Sequence, residues 1–322
     1  MIYISDKEVK ELALDWPGNV GVIEASVRCL AGAEYAQPVK PYLRYGDLKN
    51  RIIAMPAFVG GNINMSGIKW IASFPDNIGK GLPRAHCVMI LNNADTGEPV
   101  AILNSGSISA IRTASVSGFV LGKYLEKRRP ERVTLGIVGF GPIGQYHLRM
   151  CASLLGDRCS RVVLYDLNPI NPETIDQGIR DKVEVAGCWQ QVYDDADVFI
   201  TCTVSRERYI DRKPKPGSLH LNVSLRDYQS GTYPWFKGAI IVDDWEEICR
   251  ENTDVERFHL EEGLQQSQVQ TIRDLVDADG IQLFDDAQAV MFNPMGMAVF
   301  DIAIARHYML RMQTESRPLV LS

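Results

Sequence analysis

The sequence of 322 residues lacks a long apolar run. No stretch reaches the roughly 18 apolar residues of a membrane span, and residues 1–8 contain no long apolar core. Hydrophobic residues still make up 46% of the chain and charged residues 23%, as in ordinary soluble globular proteins. We therefore expect a cytoplasmic protein without a membrane segment, long enough for two domains.

The sequence also lacks an excess of positive charge. Its 34 Lys and Arg residues are outnumbered by 40 Asp and Glu residues, which gives a formal net charge of −6. No basic stripe is interleaved with aromatic residues, so a nucleic-acid partner is not expected. The densest basic cluster, at 127–132, is interpreted as a solvated linker.

Cysteine and histidine are few and scattered. The seven cysteines show no paired short spacings, and the five histidines show no metal-ligand spacing. We expect reduced, mostly buried thiols, no disulfide framework and no metal site. His147 could approach a phosphate, although a structural role is favoured.

A glycine-rich turn occurs in the middle of the chain, at residues 138–144. The apolar run before it, at 133–138, predicts a buried parallel strand, and residues 143–155 have helical apolar spacing. Strand, glycine turn and helix follow one another in the order required for binding a dinucleotide pyrophosphate. The predicted cofactor-binding residues of this turn are Gly139, Gly141, Pro142, Ile143 and Gly144.

Asp166 ends the next predicted strand, at 162–165. It follows Gly144 at about the 20-residue spacing expected of the acid that holds a ribose 2′-hydroxyl. A carboxylate here would repel a 2′-phosphate, and no arginine follows at once, so NAD is favoured over NADP. The alternative interpretation is an ordinary tight turn and a solvated aspartate.

The segment before the glycine turn predicts a sheet of closely spaced strands. Two helical segments up to about residue 35, broken around Pro17-Gly18, precede these strands. Asp95-Thr96-Gly97 closes a hairpin, and a helix from about Ser109 to Lys127 leads out of the sheet. An antiparallel or mixed sheet is expected, with strands at 41–44, 51–55, 66–71, 87–91 and 100–103.

From Glu131 onwards strands and helices alternate, and six strands complete a doubly wound sheet. An acidic helical region near 245–278 and a last helix, which 293–297 open and which ends at about Met312, follow. We predict an α/β protein in which a Rossmann doubly wound parallel sheet is inserted in a discontinuous α+β substrate-binding and dimerisation domain. The Rossmann domain comprises 116–289, and the other domain comprises 1–115 and 290–322.

Two cations interrupt apolar segments of the first domain. Lys69 lies in the run 67–71, where an unpaired ammonium would be costly, so it should face a carboxylate, a ligand or a cavity. Arg112 interrupts a helix of small and apolar residues and could grip a substrate carboxylate. A buried ion pair or a snorkelling side chain is the alternative for both. Arg44 ends a short strand, where an arginine is more often exposed than functional.

Asp227 follows the fifth strand of the predicted Rossmann sheet. Ligands bind outside the carboxyl ends of such strands, so this carboxylate could act there as an acid or a base. A turn or helix-capping aspartate is the competing explanation.

Together these segments resemble the ornithine cyclodeaminase and mu-crystallin family over nearly the whole chain. The likeness rests on Gly67-Ile68-Lys69, Ile111-Arg112-Thr113-Ala114, the glycine turn and Gly296-Met297-Ala298. A closer likeness, to the branch that oxidises N-(2-amino-2-carboxyethyl)-L-glutamate, is carried by 39–44, 51–56, 67–71, 200–204, 242–245 and 293–298.

The resemblance implies an NAD-dependent oxidoreductase acting on CH–NH groups, in a homodimer formed through the first domain and the final helix. It implies that Arg44, Lys69 and Arg112 bind substrate, and that Lys69 and Asp227 are catalytic. Further implied cofactor contacts are Arg112, Thr113, Cys202, Thr203, Val223, Ser224, Asn293 and Gly296.

The implied reaction is the oxidative hydrolysis of the glutamate conjugate to L-2,3-diaminopropionate and 2-oxoglutarate, for siderophore or peptide antibiotic biosynthesis. A pyridoxal-phosphate-dependent synthase is the implied pathway partner. Family members that cyclise ornithine have Glu in the segment before Met-Pro, which in this chain reads Ile53-Ala54-Met55-Pro56. That Glu binds the second amino group of ornithine, and Ile53 cannot. The alternatives are a ketimine or imino-acid reductase, an ornithine cyclodeaminase-like enzyme that recycles its NAD, and a non-catalytic NAD-bound ligand carrier like mu-crystallin.

Overall fold

The computed structural model describes residues 1–276, 280–281, 284–315 and 319–320. The chain divides into two compact units: unit 1 comprises 1–115 and 296–322, and unit 2 comprises 116–295. The predicted α/β class, with a parallel sheet in the inserted segment, is confirmed. Among the described residues, no helix is long and apolar enough to cross a membrane.

Unit 1 is built on an eight-stranded mixed sheet. Its strands, numbered in chain order, are β1 (Ile2–Ser5), β2 (Tyr35–Ala36), β3 (Tyr42–Leu43), β4 (Arg51–Val59), β5 (Met65–Ser73), β6 (Ala85–Asn93), β7 (Pro99–Asn104) and β16 (Leu319–Val320). The order is β16-β1-β7-β6-β5-β4-β2, with β3 paired to β4. The pairings β4–β5, β5–β6 and β6–β7 are antiparallel, whereas β1 runs parallel to β7, so the sheet is mixed.

In the described part of unit 1 the α-helices are α1 (Asp6–Glu11), α2 (Trp16–Ala31), the first half of α3 (Gly106–Arg128) and α9 (Ala298–Glu315). The predicted break at Pro17-Gly18 was misplaced, because it precedes Trp16. Asp15 caps α2 by accepting the Gly18 N–H at 3.0 Å. Pro17 occupies the first turn, where its missing N–H costs no hydrogen bond. Helix α9 is mostly buried and packs on α2 and on strands β4 and β5.

Unit 2 contains a sheet in which all pairings are parallel. Its strands are β8 (Val133–Val138), β9 (Cys159–Tyr165), β10 (Val183–Val185), β11 (Val198–Thr201), β12 (Leu219–Asn222), β13 (Ile240–Val242), β14 (Gln270–Thr271) and β15 (Val290–Asn293). The order is β10-β9-β8-β11-β12-β15-β13-β14. The predicted count of six strands was therefore wrong, because β14 and β15 also join the sheet, and β15 lies between β12 and β13.

The helices of unit 2 are the second half of α3, α4 (Pro142–Leu155), α5 (Trp189–Tyr193), α6 (Tyr233–Phe236), α7 (Trp245–Ile248) and α8 (Asp254–Glu262). The predicted acidic helical region corresponds to α7, α8 and a 3₁₀ turn at Ile272–Val276, and 277–278 lie outside the described residues. An aromatic core surrounds His220, whose ring lies 5.0 Å from Phe236 and 5.4 Å from Tyr193. All seven cysteines are free thiols.

Candidate functional site

The glycine turn joins β8 to α4 and requires glycine at Gly139 and Gly144. Gly139 has a φ of +90°, and a Cβ there would lie 2.5 Å from the carbonyl oxygen of Cys202. A Cβ on Gly144 would overlap with the carbonyl oxygen of Gly139. Gly141 differs, because a Cβ there would meet nothing within 4 Å. The space beside Gly141 is therefore open to a ligand.

Gly141 is the N-cap of α4, and Pro142 occupies its first turn. Gly141 and Ile143 are half-buried, whereas Pro142 is exposed. The first N–H groups of a helix have no partner within it, and the helix dipole places partial positive charge there. The start of α4 can thus bind an anion such as a phosphate.

Asp166 follows β9 and is fixed beside the glycine turn. Its Oδ2 accepts the Phe140 N–H at 2.7 Å, and its Oδ1 accepts the Asn168 N–H at 2.8 Å. The carboxylate is half-buried, and Oδ2 retains a lone pair for a further donor, whereas Oδ1 also accepts from Asn168 Nδ2 at 3.3 Å. The structure therefore brings Asp166 and the glycine turn together, as a dinucleotide site requires.

Asp227 lies in the loop after β12 and is fully buried. The hydroxyls of Thr203 and Ser224 both donate to its carboxylate. Leu225, two residues earlier, has a φ of +66°, a conformation that costs energy in a residue other than glycine. The loop therefore holds Asp227 in a defined orientation against the two hydroxyls.

Asp254 is a second buried carboxylate in this region, and the sequence analysis missed it. It accepts hydrogen bonds from Arg208 Nε at 2.7 Å, from Asn222 Nδ2 at 3.0 Å and from the Asp227 N–H at 3.0 Å. Burial, together with the nearby charge of Asp227, raises the pKa of Asp254 to about 6. Its position at the start of an acidic helix gave no sign of these contacts.

Other predicted cofactor residues lie near the carboxyl ends of the same strands. The Cys202 N–H donates to Val138 O at 2.7 Å, and the Val223 N–H donates to Leu221 O at 3.1 Å. The buried Asn293 Oδ1 accepts a hydrogen bond from Asn222 at 2.8 Å. These contacts place Cys202, Val223 and Asn293 along one edge of the parallel sheet.

His147 is fully buried in α4, where Nδ1 lies 2.8 Å from Ile143 O and Nε2 lies 2.9 Å from Ser117 Oγ. Burial lowers the pKa of His147 to about 4. The imidazole is therefore neutral at pH 7 and has a structural role in this packing.

Unit 1 contains a buried cluster of charged residues. Lys69 is 1% exposed, and its Nζ donates to Asp301 Oδ1 at 2.9 Å and to Ser109 Oγ at 2.8 Å. Arg112 Nε donates to the same oxygen of Asp301 at 2.8 Å. Burial lowers the pKa of Lys69, Asp301 opposes this effect and Arg112 adds to it. We call Lys69, Arg112 and Asp301 the charge cluster.

Gly296 packs against the charge cluster. It has a φ of +91°, and a Cβ there would lie 3.1 Å from Arg112 Nη1. The buried Lys40 Nζ donates to Gly296 O at 2.9 Å, a contact that the sequence analysis missed. Thr113, the residue after Arg112, donates from Oγ1 to Ser109 O at 2.8 Å. Gly296 is thus fixed against the guanidinium of Arg112.

Arg44 lies just beyond β3 and is exposed. Its Nη1 donates to Leu48 O at 2.7 Å, and its guanidinium lies 5.5 Å from the centre of the Tyr42 ring. The structure therefore places Arg44 on the surface of unit 1, whereas Lys69 and Arg112 are buried.

Asp301 was missed by the sequence analysis, although the signal was present. It lies in the apolar stretch 298–305 and interrupts it with a charge, as Lys69 and Arg112 interrupt theirs. An isolated charge in a buried helix requires a partner of opposite charge. The same reasoning applied to 298–305 would have identified it.

Comparison with known proteins agrees with this arrangement of elements. The model of the ornithine cyclodeaminase/mu-crystallin family matches residues 5–315. The chain is 31% identical to the N-((2S)-2-amino-2-carboxyethyl)-L-glutamate dehydrogenase of Staphylococcus aureus, over 95% of this chain and 93% of that protein.

Two solved structures share the fold over the whole chain. The Δ(1)-pyrroline-2-carboxylate reductase of Thermococcus litoralis, in complex with NADH and L-proline, has a TM-score of 0.88 at 20% identity and covers 100% of both chains. An archaeal alanine dehydrogenase dimer with bound NAD has a TM-score of 0.80 at 20% identity, over 100% of this chain and 99% of that one. The glycine turn, the parallel sheet and the extent of the family match together show that the chain belongs to the ornithine cyclodeaminase/mu-crystallin family.

Proposed function

We propose that the protein is an NAD-dependent oxidoreductase that oxidises and hydrolyses N-(2-amino-2-carboxyethyl)-L-glutamate. The products are L-2,3-diaminopropionate and 2-oxoglutarate. The observation that carries the proposal is the burial of Lys69 and Arg112 on one carboxylate, Asp301, because two buried cations on one anion leave positive charge for an anionic substrate. Similarity to the Staphylococcus aureus enzyme supports this substrate.

The residues of unit 2 fit NAD. The open space beside Gly141 and the start of α4 suit a pyrophosphate, and Asp166 suits the adenosine ribose diol. When bound, NAD accepts a hydride. We propose that the nucleotide is held by Gly139, Gly141, Pro142, Ile143, Gly144 and Asp166, with further contacts from Arg112, Thr113, Cys202, Thr203, Val223, Ser224, Asn293 and Gly296.

Arg112 is suited to bind a substrate carboxylate. Asp301 takes only its Nε, so that Nη1 and Nη2 can donate to two oxygens of one carboxylate. A charge-assisted hydrogen bond of this kind contributes about 1.5–3 kcal/mol. The substrate has three carboxylates, and we propose that the exposed Arg44 binds another of them.

Lys69 and Asp227 are the proposed catalytic residues. The amine nitrogen first loses a proton to solvent, and hydride then leaves the glutamate Cα, which gives an iminium ion. Lys69, paired with Asp301, holds the substrate carboxylate beside this carbon. Asp227 takes a proton from the water that attacks the iminium carbon and passes it to the nitrogen. The C–N bond then breaks as the hydroxyl proton is lost, which releases diaminopropionate and 2-oxoglutarate.

Ile53 argues against ornithine as the substrate. It pairs with Ile71, two residues from Lys69 on β5, so Ile53 and Lys69 lie on the same face of the sheet. A glutamate at this position could bind a second amino group, whereas the isoleucine side chain offers no acceptor.

We further propose a homodimer that forms through the face of the unit 1 sheet opposite to Ile53 and Lys69. Trp70 is 44% exposed and Ile90 is 36% exposed on neighbouring strands of this face. Other apolar side chains of the face are only half-buried: Ile52, Pro56, Phe58, Ile68, Val88 and Ile102. An apolar surface of this extent suits a second copy of the chain, and the similar alanine dehydrogenase was solved as a dimer.

In the cell we place the reaction in the cytoplasm, in the biosynthesis of a siderophore or peptide antibiotic. Its substrate would come from a pyridoxal-phosphate-dependent synthase that joins phosphoserine to glutamate. A gene for such a synthase beside this one would support this part of the proposal.

The test is to incubate the purified protein with NAD and the glutamate conjugate. NADH and 2-oxoglutarate should form in equal amounts, Lys69→Ala should lose this activity, and the control Lys80→Ala, on an exposed 3₁₀ turn, should keep it. Absence of both products would refute the proposed reaction. Ornithine conversion without NADH accumulation would indicate a cyclodeaminase, and NADH consumption with a cyclic imino acid would indicate a reductase.

A further inference from the structure

Asp301 is the one carboxylate of the charge cluster, and its two oxygens differ. Oδ1 accepts hydrogen bonds from both Lys69 and Arg112, whereas Oδ2 is buried and has no partner among the described residues. The aspartate lies in the first turns of α9, and its side chain is fully buried. Movement of Oδ1 would therefore break the hydrogen bonds to both cations at once.

We propose that Asp301 is a positioning residue that holds Lys69 and Arg112 in one fixed geometry, so that both cations bind the same substrate carboxylate. This inference rests on the proposed function, because it assigns how that site recognises its substrate.

The hydrogen bonds explain how Oδ1 of Asp301 can orient the side chains of both Lys69 and Arg112. Arg112 is bonded through Nε, so its planar fork presents Nη1 and Nη2 away from Asp301. Lys69 has three N–H donors, of which Asp301 and Ser109 take two, and the third remains for a ligand. Both cations therefore have donors left over after Asp301 is satisfied.

The charges explain why the two cations need the aspartate. Each lies within 3 Å of the same oxygen, so Lys69 Nζ and Arg112 Nε are at most about 6 Å apart, where like charges repel strongly in a buried site. Without the aspartate this repulsion would separate the side chains or remove the proton from Lys69. Arginine keeps its proton, so the lysine would lose its charge.

The groups that face Lys69 come from three elements. Asp301 on α9 favours its charged form, Arg112 on α3 disfavours it, and Cys87 on β6 and Ser109 on α3 complete its surroundings. Asp301→Asn would keep a neutral acceptor of the same shape and remove the favourable charge. Lys69 should then titrate at lower pH than in the wild type.

The experiment follows the ionisation of Lys69 directly by NMR of protein labelled at the lysine side chains, with Lys69→Met to assign the signal. In Asp301→Asn the Lys69 midpoint should fall by at least about one pH unit, a tenfold change in the protonation equilibrium. Ser109→Ala, which removes only a neutral acceptor, should shift the midpoint less. An unchanged midpoint in Asp301→Asn would overturn the proposal.

Asp301→Glu provides the second variant, because it keeps the charge and moves the oxygens by one methylene. KM for the conjugate should rise by at least about tenfold with a smaller change in kcat, because the pair is misaligned in ground-state binding. A wild-type KM in this variant would overturn the proposal. If the wild type does not turn over the conjugate, the proposed function fails, while the Lys69 titration still decides the role of Asp301.

Discussion

The backbone of Gly139 lies directly against the carbonyl group of Cys202, since a Cβ on this glycine would come within 2.5 Å of the Cys202 oxygen. Strand β8 and the residues after β11 therefore approach each other more closely at this point than any side chain would allow. Substitutions of Gly139 and Gly141, two glycines of the same turn, should therefore have different effects.

Gly139→Ala should destabilise unit 2, whereas Gly141→Ala should leave its stability nearly unchanged and weaken NAD binding. The first substitution combines a backbone clash with a positive φ, and we expect a loss of about 2–4 kcal/mol in the free energy of unfolding. The second adds a methyl group only to the open space beside the start of α4. Urea unfolding and NAD titration of both variants check this, and equal effects of the two on NAD affinity and stability would contradict it.

Asp166→Asn should weaken the preference for NAD over NADP. The asparagine Oδ1 can still accept the Phe140 N–H, so the glycine turn keeps its support, but the negative charge that repels a 2′-phosphate is removed. Dissociation constants for both nucleotides should converge by about tenfold, equivalent to 1.4 kcal/mol. An unchanged ratio would show that Asp166 does not contact the ribose.

Trp70→Asp should convert the proposed homodimer into a monomer. The substitution places a charge in the apolar face of the unit 1 sheet that contains Trp70 and Ile90. A second copy of the chain would bury this charge without a counter-ion. Light scattering after size-exclusion chromatography measures the mass. Leu167→Asp is the matched control, because Leu167 is 89% exposed in unit 2. A dimeric Trp70→Asp variant would exclude this face as the interface.

Acidification should destabilise the protein through His147. Burial lowers the pKa of His147 from 6.5 to about 4, so the stability contributed by its neutral form is present above pH 6.5 and is lost as the pH falls towards 4. By pH 5 this loss should amount to about 2 kcal/mol. His147→Gln should therefore lose less stability than the wild type between pH 7 and pH 5 in urea unfolding.

His86→Gln, at an exposed histidine, is the control for this measurement and should keep the wild-type dependence on pH. The buried Asp254 changes stability in the opposite direction, because its pKa is raised to about 6, but it is present in all three proteins and cancels in the comparison. Identical pH dependence in His147→Gln and the wild type would contradict the prediction.

Local features of the fold could be predicted from the sequence, whereas long-range pairings could not. The glycine turn was identified because strand, turn and helix signals lie within residues 133–155. Strand β15 was missed because Val290–Asn293 is a short apolar run, whose periodicity does not distinguish a strand from the start of a helix. Its place between β12 and β13 depends on pairing with strands distant in the sequence.

The candidate site shows the same division. Lys69 and Arg112 were identified because each interrupts an apolar run. Lys69 was expected to face a carboxylate, a ligand or a cavity, and it faces a carboxylate. Its identity could not be predicted, because Asp301 lies 232 residues away in the sequence. The interaction of Asp254 with the Asp227 backbone is likewise a tertiary contact without a local pattern.

The division of the chain into two units also affects how it folds. Residues 116–295 form one continuous segment, while the sheet and helices of unit 1 come from both ends of the chain. Asp301 can meet Lys69 only after the intervening segment has brought these ends together, and closing so long a loop carries an entropic cost that a folded insert reduces. Unit 2 can therefore fold during synthesis, whereas the charge cluster of unit 1 is completed only when the final helix has left the ribosome.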